Sequence, residues 1–203
     1  MYRPSVRRLL VAAALALTGA VAGASPAPAA PAPPTIPDTA LLQAGDLGGA
    51  EPQPVTDDYW SALRPPQPCG PYPSAGRSRA DRAISAVVGF EDRPTVVMEH
   101  VAVYGPRGAH RYLRDLRGTA RGCTEAGVRW TIRGTGVAGD ESLLLQRREY
   151  VEFAGTYKST YIAVARTGRA LVVVADAGWE TGSGHESLVR ELAVRAVARA
   201  AGL

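Results

Sequence analysis

One stretch, residues 96–123, restricts the possible folds more than any other part of this sequence. Its first part, residues 96–104, is largely apolar on both faces, which predicts a strand covered on both sides. A Gly105-Pro106 turn follows, and then apolar side chains at helical spacing. Six residues share that helical face: Ala109, Tyr112, Leu113, Leu116, Ala120 and Cys123. The pattern predicts a strand, a turn and a helix that ends in a buried cysteine.

The N-terminus has the pattern of a secretory leader. Three basic residues come first: Arg3, Arg7 and Arg8. An apolar run at 9–17 follows, and A-x-A cleavage patterns occupy 22–24 and 27–29. We predict a signal peptide at 1–24, with cleavage as late as residue 29 as an alternative. The run is short for a membrane span, so we expect a secreted or cell-envelope protein with no stable span after cleavage.

The net charge argues against one class of partner. The full chain carries a formal charge of +4. Because the leader holds three of the 23 basic residues and none of the 19 acidic ones, its removal would lower the charge to about +1. A protein so close to neutrality lacks the positive excess of an electrostatic nucleic-acid binder. We therefore expect no nucleic-acid partner.

The two cysteines, Cys69 and Cys123, allow one intramolecular pair. An exported protein meets oxidising conditions, which favour a disulfide. The bond would close a loop of about 55 residues, and loop entropy would then stabilise the fold by roughly 4 kcal/mol. We predict one disulfide, between a Pro-rich segment and the end of the first helix.

The remaining pattern predicts a single α+β domain at 38–203, preceded by a Pro/Ala-rich linker at 25–37. Alternation and turn residues mark about six strands: 83–91, 95–104, 128–133, 141–153, 157–166 and 170–176. The connections between the last three are too short for crossovers, so these strands form an antiparallel meander. The predicted order is β-β-α-β-β-β-β-α, an antiparallel sheet of about six strands with two amphipathic helices packed on it.

Two segments precede the sheet. Residues 38–47 predict a short helix. Its apolar face comprises Leu41, Leu42 and Leu47. Residues 51–74 are Pro-rich and irregular, with one apolar turn at 59–63. We expect this second segment to lie on the domain surface, held by Cys69.

The C-terminal helix has signals for its start and for its buried face. Ser183 with Glu186 fits a capping box. Glu186 with Arg190, and Glu191 with Arg195, are favourable pairs one turn apart. The apolar face comprises Leu188, Val189, Leu192, Ala193, Ala196, Val197 and Ala200. This helix should pack firmly on the sheet.

The layout resembles the extracellular sensor domain of the mycobacterial kinase PknH and its stand-alone exported relatives in actinobacteria. The resemblance rests on the leucine-rich opening at 41–47, on Cys69 in a Pro-rich stretch and on the strand ending at 99–104. The helix that reaches Cys123 and the Gly-Asp pair at 139–140 complete it. It implies an antiparallel sheet with two long helices and a cleft between sheet and helices for an unidentified ligand. This chain has one cysteine pair where the kinase domain has more.

Glu99 is the least easily explained residue of the predicted sheet. It shares a strand face with three valines: Val97, Val101 and Val103. A carboxylate there must find a partner or shift its pKa. Arg147 and Lys158, on the meander, are plausible partners in a buried ion pair. There are two alternatives: Glu99 contacts a ligand in a cleft, or it lies at an edge position open to solvent.

Polar-tipped aromatic side chains are concentrated on or near the meander. They are Tyr150, Tyr157, Tyr161, Trp130 and Trp179. Such side chains pack in cores and rims, and they also line ligand clefts, where they offer area with a hydrogen-bonding end. The ligand-binding set that we predict is Glu99, Arg147, Tyr150, Tyr157 and Tyr161.

The first helix carries a basic stripe of Arg107, Arg111, Arg114 and Arg121. With Asp115 interleaved, the stripe is typical of a solvated face. Contact with an anionic cell-wall component or lipid headgroup is the alternative.

Motifs of catalysis and cofactor binding give weaker signals. The G-x-G-x-x-G at 134–139 precedes a predicted strand, whereas a dinucleotide site requires a helix there. Ser183 is close to His185, but the capping role accounts for the serine. His100, His110 and His185 are dispersed, without metal-ligand spacing. We predict no catalytic residue, metal or cofactor.

The sequence favours an exported, non-catalytic, sensor-like domain. We expect it to be a monomer and to bind a small, lipid-like or cell-envelope ligand in a cleft between sheet and helices. A secreted hydrolase with a dispersed active site is one alternative. Its mark would be a carboxylate or hydroxyl within reach of a histidine in a pocket. A structural or protein-interaction module of the envelope, with a flat apolar patch, is the other.

Overall fold

The computed structural model describes residues 34–203. The predicted signal peptide and most of the predicted linker lie outside the described residues. Packing begins upstream of the predicted domain start, because the side chain of Ile36 is buried and its carbonyl accepts a hydrogen bond from Arg82 Nη1 at 3.0 Å. In the described part of the chain, no helix has the length and apolar character needed to cross a membrane.

In residues 34–203, a single antiparallel sheet of eight strands forms the centre of the fold. The strands are β1 (Gln53–Pro54), β2 (Ser78–Phe90), β3 (Arg93–Tyr104), β4 (Thr124–Glu125), β5 (Val128–Thr135), β6 (Glu141–Val151), β7 (Thr156–Thr167) and β8 (Ala170–Asp176). Their order across the sheet is β1-β2-β3-β8-β7-β6-β5-β4. The α+β class and the antiparallel meander are confirmed, and the predicted number of about six strands becomes eight. The two additions, β1 and β4, have two residues each, too few to show an alternating pattern.

The two α-helices of the described chain, α1 (Gly108–Thr119) and α2 (Glu186–Ala200), pack on opposite faces of the sheet. Met98 and Ala102 of β3 pack in the cluster that contains α1, whereas Val97 and Val101 pack in the cluster that contains α2. Strand β3 is therefore covered on both sides, as its apolar pattern predicts.

Helix α1 buries the whole face that its periodicity predicts, from Ala109 to Cys123. The helix itself ends at Thr119, so Cys123 follows it rather than closing it. Cys123 is bonded to Cys69, 54 residues earlier, which confirms the predicted disulfide.

The Pro-rich segment, although much of it is exposed, also contributes large side chains to the core. Trp60, Leu63 and Tyr72 are buried against the α1 face of the sheet. Tyr72 Oη donates a hydrogen bond to the carbonyl of Pro68 at 2.6 Å. The disulfide therefore joins two parts of one apolar cluster.

The N-terminal segment packs on the other face, beside α2. Its leucines are buried as predicted: Leu41, Leu42 and Leu47. The predicted helix at 38–47 is wrong, because only Asp38–Ala40 forms a short 3-10 turn. Side chains bind the backbone N–H groups that a helix would use: Glu99 accepts from Leu42 N, and Asp46 accepts from Gln43 N at 2.9 Å.

Helix α2 begins at Glu186 after His185, which makes no side-chain cap. The predicted capping box is wrong, because the hydroxyl of Ser183 accepts a hydrogen bond from the backbone N–H of Ser159 at 2.9 Å. The predicted ion pairs within the helix are both present: Glu186–Arg190 and Glu191–Arg195. All residues of the predicted apolar face are buried except Val197, which is partly buried.

Candidate functional site

Glu99 is buried between β3 and the N-terminal segment, with 1% of its surface exposed. Its Oε2 accepts a hydrogen bond from the backbone N–H of Leu42 at 2.7 Å. Its Oε1 has no hydrogen-bond partner among the described residues. Burial raises the pKa of this carboxyl from 4.5 to about 8, although the Leu42 hydrogen bond opposes the shift.

The predicted partners of Glu99 are wrong, because both lie on the opposite face of the sheet. Arg147 pairs with Glu149, with 2.6 Å between Nη2 and Oε2. Lys158 Nζ donates to the carbonyl of Glu180 at 2.7 Å, and burial lowers the pKa of this lysine.

Of the three predicted tyrosines, Tyr150 and Tyr157 lie at the β6–β7 hairpin, away from Glu99, and Tyr161 lies in the middle of β7. Tyr150 and Tyr157 are half-exposed, with ring centres 5.2 Å apart. Arg148 lies over the Tyr157 ring at 4.1 Å. Tyr161 is partly buried against α2, and its hydroxyl is 3.4 Å from Gln146 Nε2. The structure therefore does not bring the predicted ligand-binding set together.

Arg147 does line two adjoining pockets, of about 300 and 220 Å³. They lie between the sheet and residues 59–68 rather than between the sheet and a helix. A pocket of about 240 Å³ does lie between α2 and the end of β2, but none of the predicted binding residues lines it.

A larger pocket, of about 420 Å³, opens beside the start of α1. We call it the arginine pocket. It is lined by Pro73, Ser74, Arg77, Arg79, Gly105, Pro106, Gly108, Arg111 and Asp115. Its volume is in the range of small-molecule sites.

Arg79 reaches this pocket because of a bulge in the sheet. Ser78 pairs with Tyr104 and Ala80 pairs with Val103, so Arg79 is the extra residue between them. A bulge redirects a side chain from the regular alternation. A Cβ atom built on Gly105 would lie 3.3 Å from Arg79 Nη2, so the guanidinium packs directly against this glycine.

Arg111 and Arg77 enter the pocket from two other elements. Arg111 is in the first turn of α1, with its Nη2 3.4 Å from the carbonyl of Pro106. Arg77 is in a short 3-10 turn just before β2. The carbonyl of Ala75, in the same turn, accepts a hydrogen bond from Tyr104 Oη at 3.1 Å, which fixes the turn beside the sheet.

The arginine pocket carries a local excess of positive charge. In residues 34–203, Arg77, Arg79 and Arg111 form no ion pair, whereas other arginines do: Arg82, Arg114, Arg117, Arg133, Arg147, Arg166, Arg190, Arg195 and Arg199. Asp115 is the acid of the pocket, and it binds Ser74 Oγ at 2.8 Å and Arg114 at 3.4 Å. The first turn of α1 contains no acidic residue.

The predicted basic stripe is divided in the structure. Arg111 lines the arginine pocket, and Arg107 lines a neighbouring pocket. Arg114 pairs with Asp115, and Arg121 lies beyond the end of the helix. The sequence did not identify Arg77 and Arg79, because their approach depends on the pairing of β2 with β3. Residues 77–80 read Arg-Ser-Arg-Ala, a regular alternation that gives no signal of the bulge.

Each histidine contacts a carboxylate, in the pairs His100–Asp81 (3.4 Å), His110–Glu141 (2.9 Å) and His185–Asp176 (3.0 Å). Of the three, His110 lines a pocket, the one beside Arg107.

Cys69, Cys123 and Glu125 bring possible metal-ligand atoms close together. The disulfide uses both sulfur atoms, so neither is available as a thiolate. Glu125 Oε2 accepts a hydrogen bond from the backbone N–H of Cys69 at 3.0 Å. The cluster is accounted for by the covalent bond and its supporting hydrogen bond.

No protein-family model, curated protein or solved structure matches this chain. The resemblance to the sensor-domain family therefore rests on the sequence features alone and stays a prediction.

Proposed function

We propose that this protein is an exported, non-catalytic, sensor-like domain that binds an oxyanion in the arginine pocket. The oxyanion is the phosphate or carboxylate group of a small, lipid-like or cell-envelope ligand. The observation that carries the proposal is the convergence of Arg77, Arg79 and Arg111 on one cavity without carboxylate partners in the described chain. Guanidinium groups match the oxygens of phosphate and carboxylate in charge and geometry.

The near-neutral charge of the predicted mature chain strengthens this reading. A generally basic protein would place arginines at many sites by chance, but here nine of the 19 arginines in residues 34–203 have acidic partners, and none of the three in the arginine pocket does. The positive charge of the pocket is therefore local, and a local excess attracts a small anion more selectively than a uniformly basic surface.

The test is calorimetric titration at low ionic strength with inorganic phosphate, glycerol 3-phosphate and citrate. Arg79→Ala should weaken binding by about tenfold or more, since a hydrogen bond to a charged group is worth about 1.5–3 kcal/mol. The matched control is Arg129→Ala, which removes the same charge from an exposed position on β5. Equal losses in the two variants, or no binding of any probe to the unmodified protein, would overturn the proposal.

One observation favours the hydrolase alternative enough to test it. His110 Nδ1 is 2.9 Å from Glu141 Oε2, and His110 lines a pocket next to the arginine pocket. A carboxylate that orients a histidine is a common arrangement for a general base. Hydrolysis of p-nitrophenyl phosphate by the unmodified protein, abolished by His110→Ala, would replace the binding proposal with an enzymatic one.

A further inference from the structure

A second pocket, of about 250 Å³, adjoins the arginine pocket. It is lined by Gly105, Arg107, Gly108, Ala109, His110, Arg166, Gly168 and Arg169. Gly105 and Gly108 line both pockets. The turn between these glycines therefore forms a wall with one pocket on each side.

The second pocket also has an excess of positive charge. Arg107 and Arg169 are exposed and form no ion pair in residues 34–203. Arg166, the third arginine, is 2.9 Å from Asp140. Glu141 is 3.0 Å from Arg117 and 3.8 Å from Arg166, so the acids near this pocket already have arginine partners.

The wall between the pockets is firmly held. Arg107 has a left-handed backbone (φ 61°), and Gly108 N donates to the carbonyl of Gly105 at 2.9 Å. A Cβ atom on Gly108 would lie 2.8 Å from Cβ of Tyr104, so the turn packs tightly on the end of β3. The backbone N–H of Tyr104 donates to the carbonyl of Arg169 at 3.0 Å, which fixes the second pocket to the same strand end.

We infer that the ligand carries at least two linked anionic groups, one bound in each pocket across the Gly105–Gly108 turn. This inference rests on the proposed oxyanion site and adds the second half of the ligand. Linking two binding groups makes the second contact intramolecular, which raises affinity by about 10²–10⁴-fold when the linker spans the two sites. A chain of phosphates or carboxylates has this chemistry, and a single phosphate does not.

The experiment compares inorganic phosphate with a length series of pyrophosphate, tripolyphosphate and longer linear polyphosphate. Titrations use the unmodified domain and three exposed-arginine variants, Arg79→Ala, Arg169→Ala and Arg129→Ala, each checked for folding by circular dichroism. We expect affinity to rise at least 100-fold above that of phosphate at the chain length that spans both pockets, with one chain bound per protein. At that length Arg79→Ala and Arg169→Ala should each weaken binding about tenfold or more, and Arg129→Ala should have little effect.

The two proposals fail in different ways. If Arg79→Ala weakens phosphate binding but Arg169→Ala matches Arg129→Ala at every chain length, the oxyanion site stands and the two-group ligand is overturned. A smooth rise in affinity with chain length, equally sensitive to all three arginines, also overturns it, because it indicates general attraction to a polyanion. If no probe binds, or if Arg79→Ala has no effect on any of them, both proposals fall.

Discussion

The backbone N–H of Leu42 donates a hydrogen bond to Oε2 of Glu99 across 57 positions of sequence. This bond joins the N-terminal segment to the centre of the sheet. Because the other carboxyl oxygen has no partner among residues 34–203, the buried group is only half satisfied. Such a carboxyl makes stability depend on pH, since folding favours its neutral form.

Glu99→Gln should remove that dependence. The folded-state pKa of about 8 lies above the ordinary value of 4.5, so the contribution of Glu99 is full below pH 4.5 and is lost as pH rises through 8. At one pKa unit per roughly 1.4 kcal/mol, the loss is on the order of 5 kcal/mol across this range. Urea unfolding at several pH values measures the free energy of unfolding of both proteins. As pH rises from 4.5 to about 8, the value for the original protein should fall relative to that for the glutamine variant. Parallel curves would contradict the prediction.

Removal of the disulfide should lower stability by about 4 kcal/mol, because the unfolded chain regains the entropy of a large loop. The test is urea unfolding of the double variant Cys69→Ala, Cys123→Ala, which leaves no free thiol. We expect a lower midpoint with the same folded-state circular dichroism. An unchanged midpoint would show that the apolar cluster around Tyr72 holds the Pro-rich segment without the bond.

Two glycines of α1 should respond oppositely to alanine. Gly108→Ala places Cβ 2.8 Å from Cβ of Tyr104, so the start of the helix must shift and stability should fall by about 1–3 kcal/mol. Gly118→Ala, exposed in the same helix with nothing within 4 Å, should raise stability by about 0.5–1 kcal/mol. Thermal unfolding measures both. A gain in both variants would mean that the Gly105–Gly108 turn is looser than the contact with Tyr104 indicates.

Asp176→Asn should loosen the loop between β8 and α2. The buried carboxylate of Asp176 accepts hydrogen bonds from Gly178 N at 2.8 Å, from His185 N at 2.7 Å and from Thr95 Oγ1. An amide nitrogen cannot accept from these donors, so we expect a loss of about 1–3 kcal/mol. Limited proteolysis should cut residues 177–185 faster in this variant than in the exposed control Asp58→Asn. Equal cutting rates would argue against the role of Asp176.

The regular elements were the most predictable part of the fold. Residues 170–176 form β8 with the predicted bounds. The prediction was possible because a short apolar run between turn residues is typical of a buried strand. The buried face of α1 followed from its period. Competition for hydrogen bonds was not predictable: Ser183 binds the backbone of β7 instead of capping α2, and that partner is distant in sequence.

The candidate site was less predictable than the fold. The helical period places Arg111 on a basic stripe, but Arg79 becomes its neighbour only through the register of β2 against β3. The predicted ligand-binding set does not come together because Glu99 and Arg147 lie on opposite faces of the sheet. Alternation shows which residues of one strand share a face, but it does not show which faces of two different strands lie on the same side of the sheet. Strand pairing and the side on which each helix packs both depend on contacts between distant residues.

The bulge at Arg79 also lies at an edge of the sheet. In the part of the chain that the structure describes, the one strand outside β2 is β1, which pairs with Ser85 and Ile84 and includes Pro54, a residue without a backbone N–H. An edge of a sheet can act as a template for pairing with a strand from another molecule. A bulge, charged side chains and a proline each oppose such pairing, so the irregularity that directs an arginine into the pocket should also limit edge-to-edge aggregation.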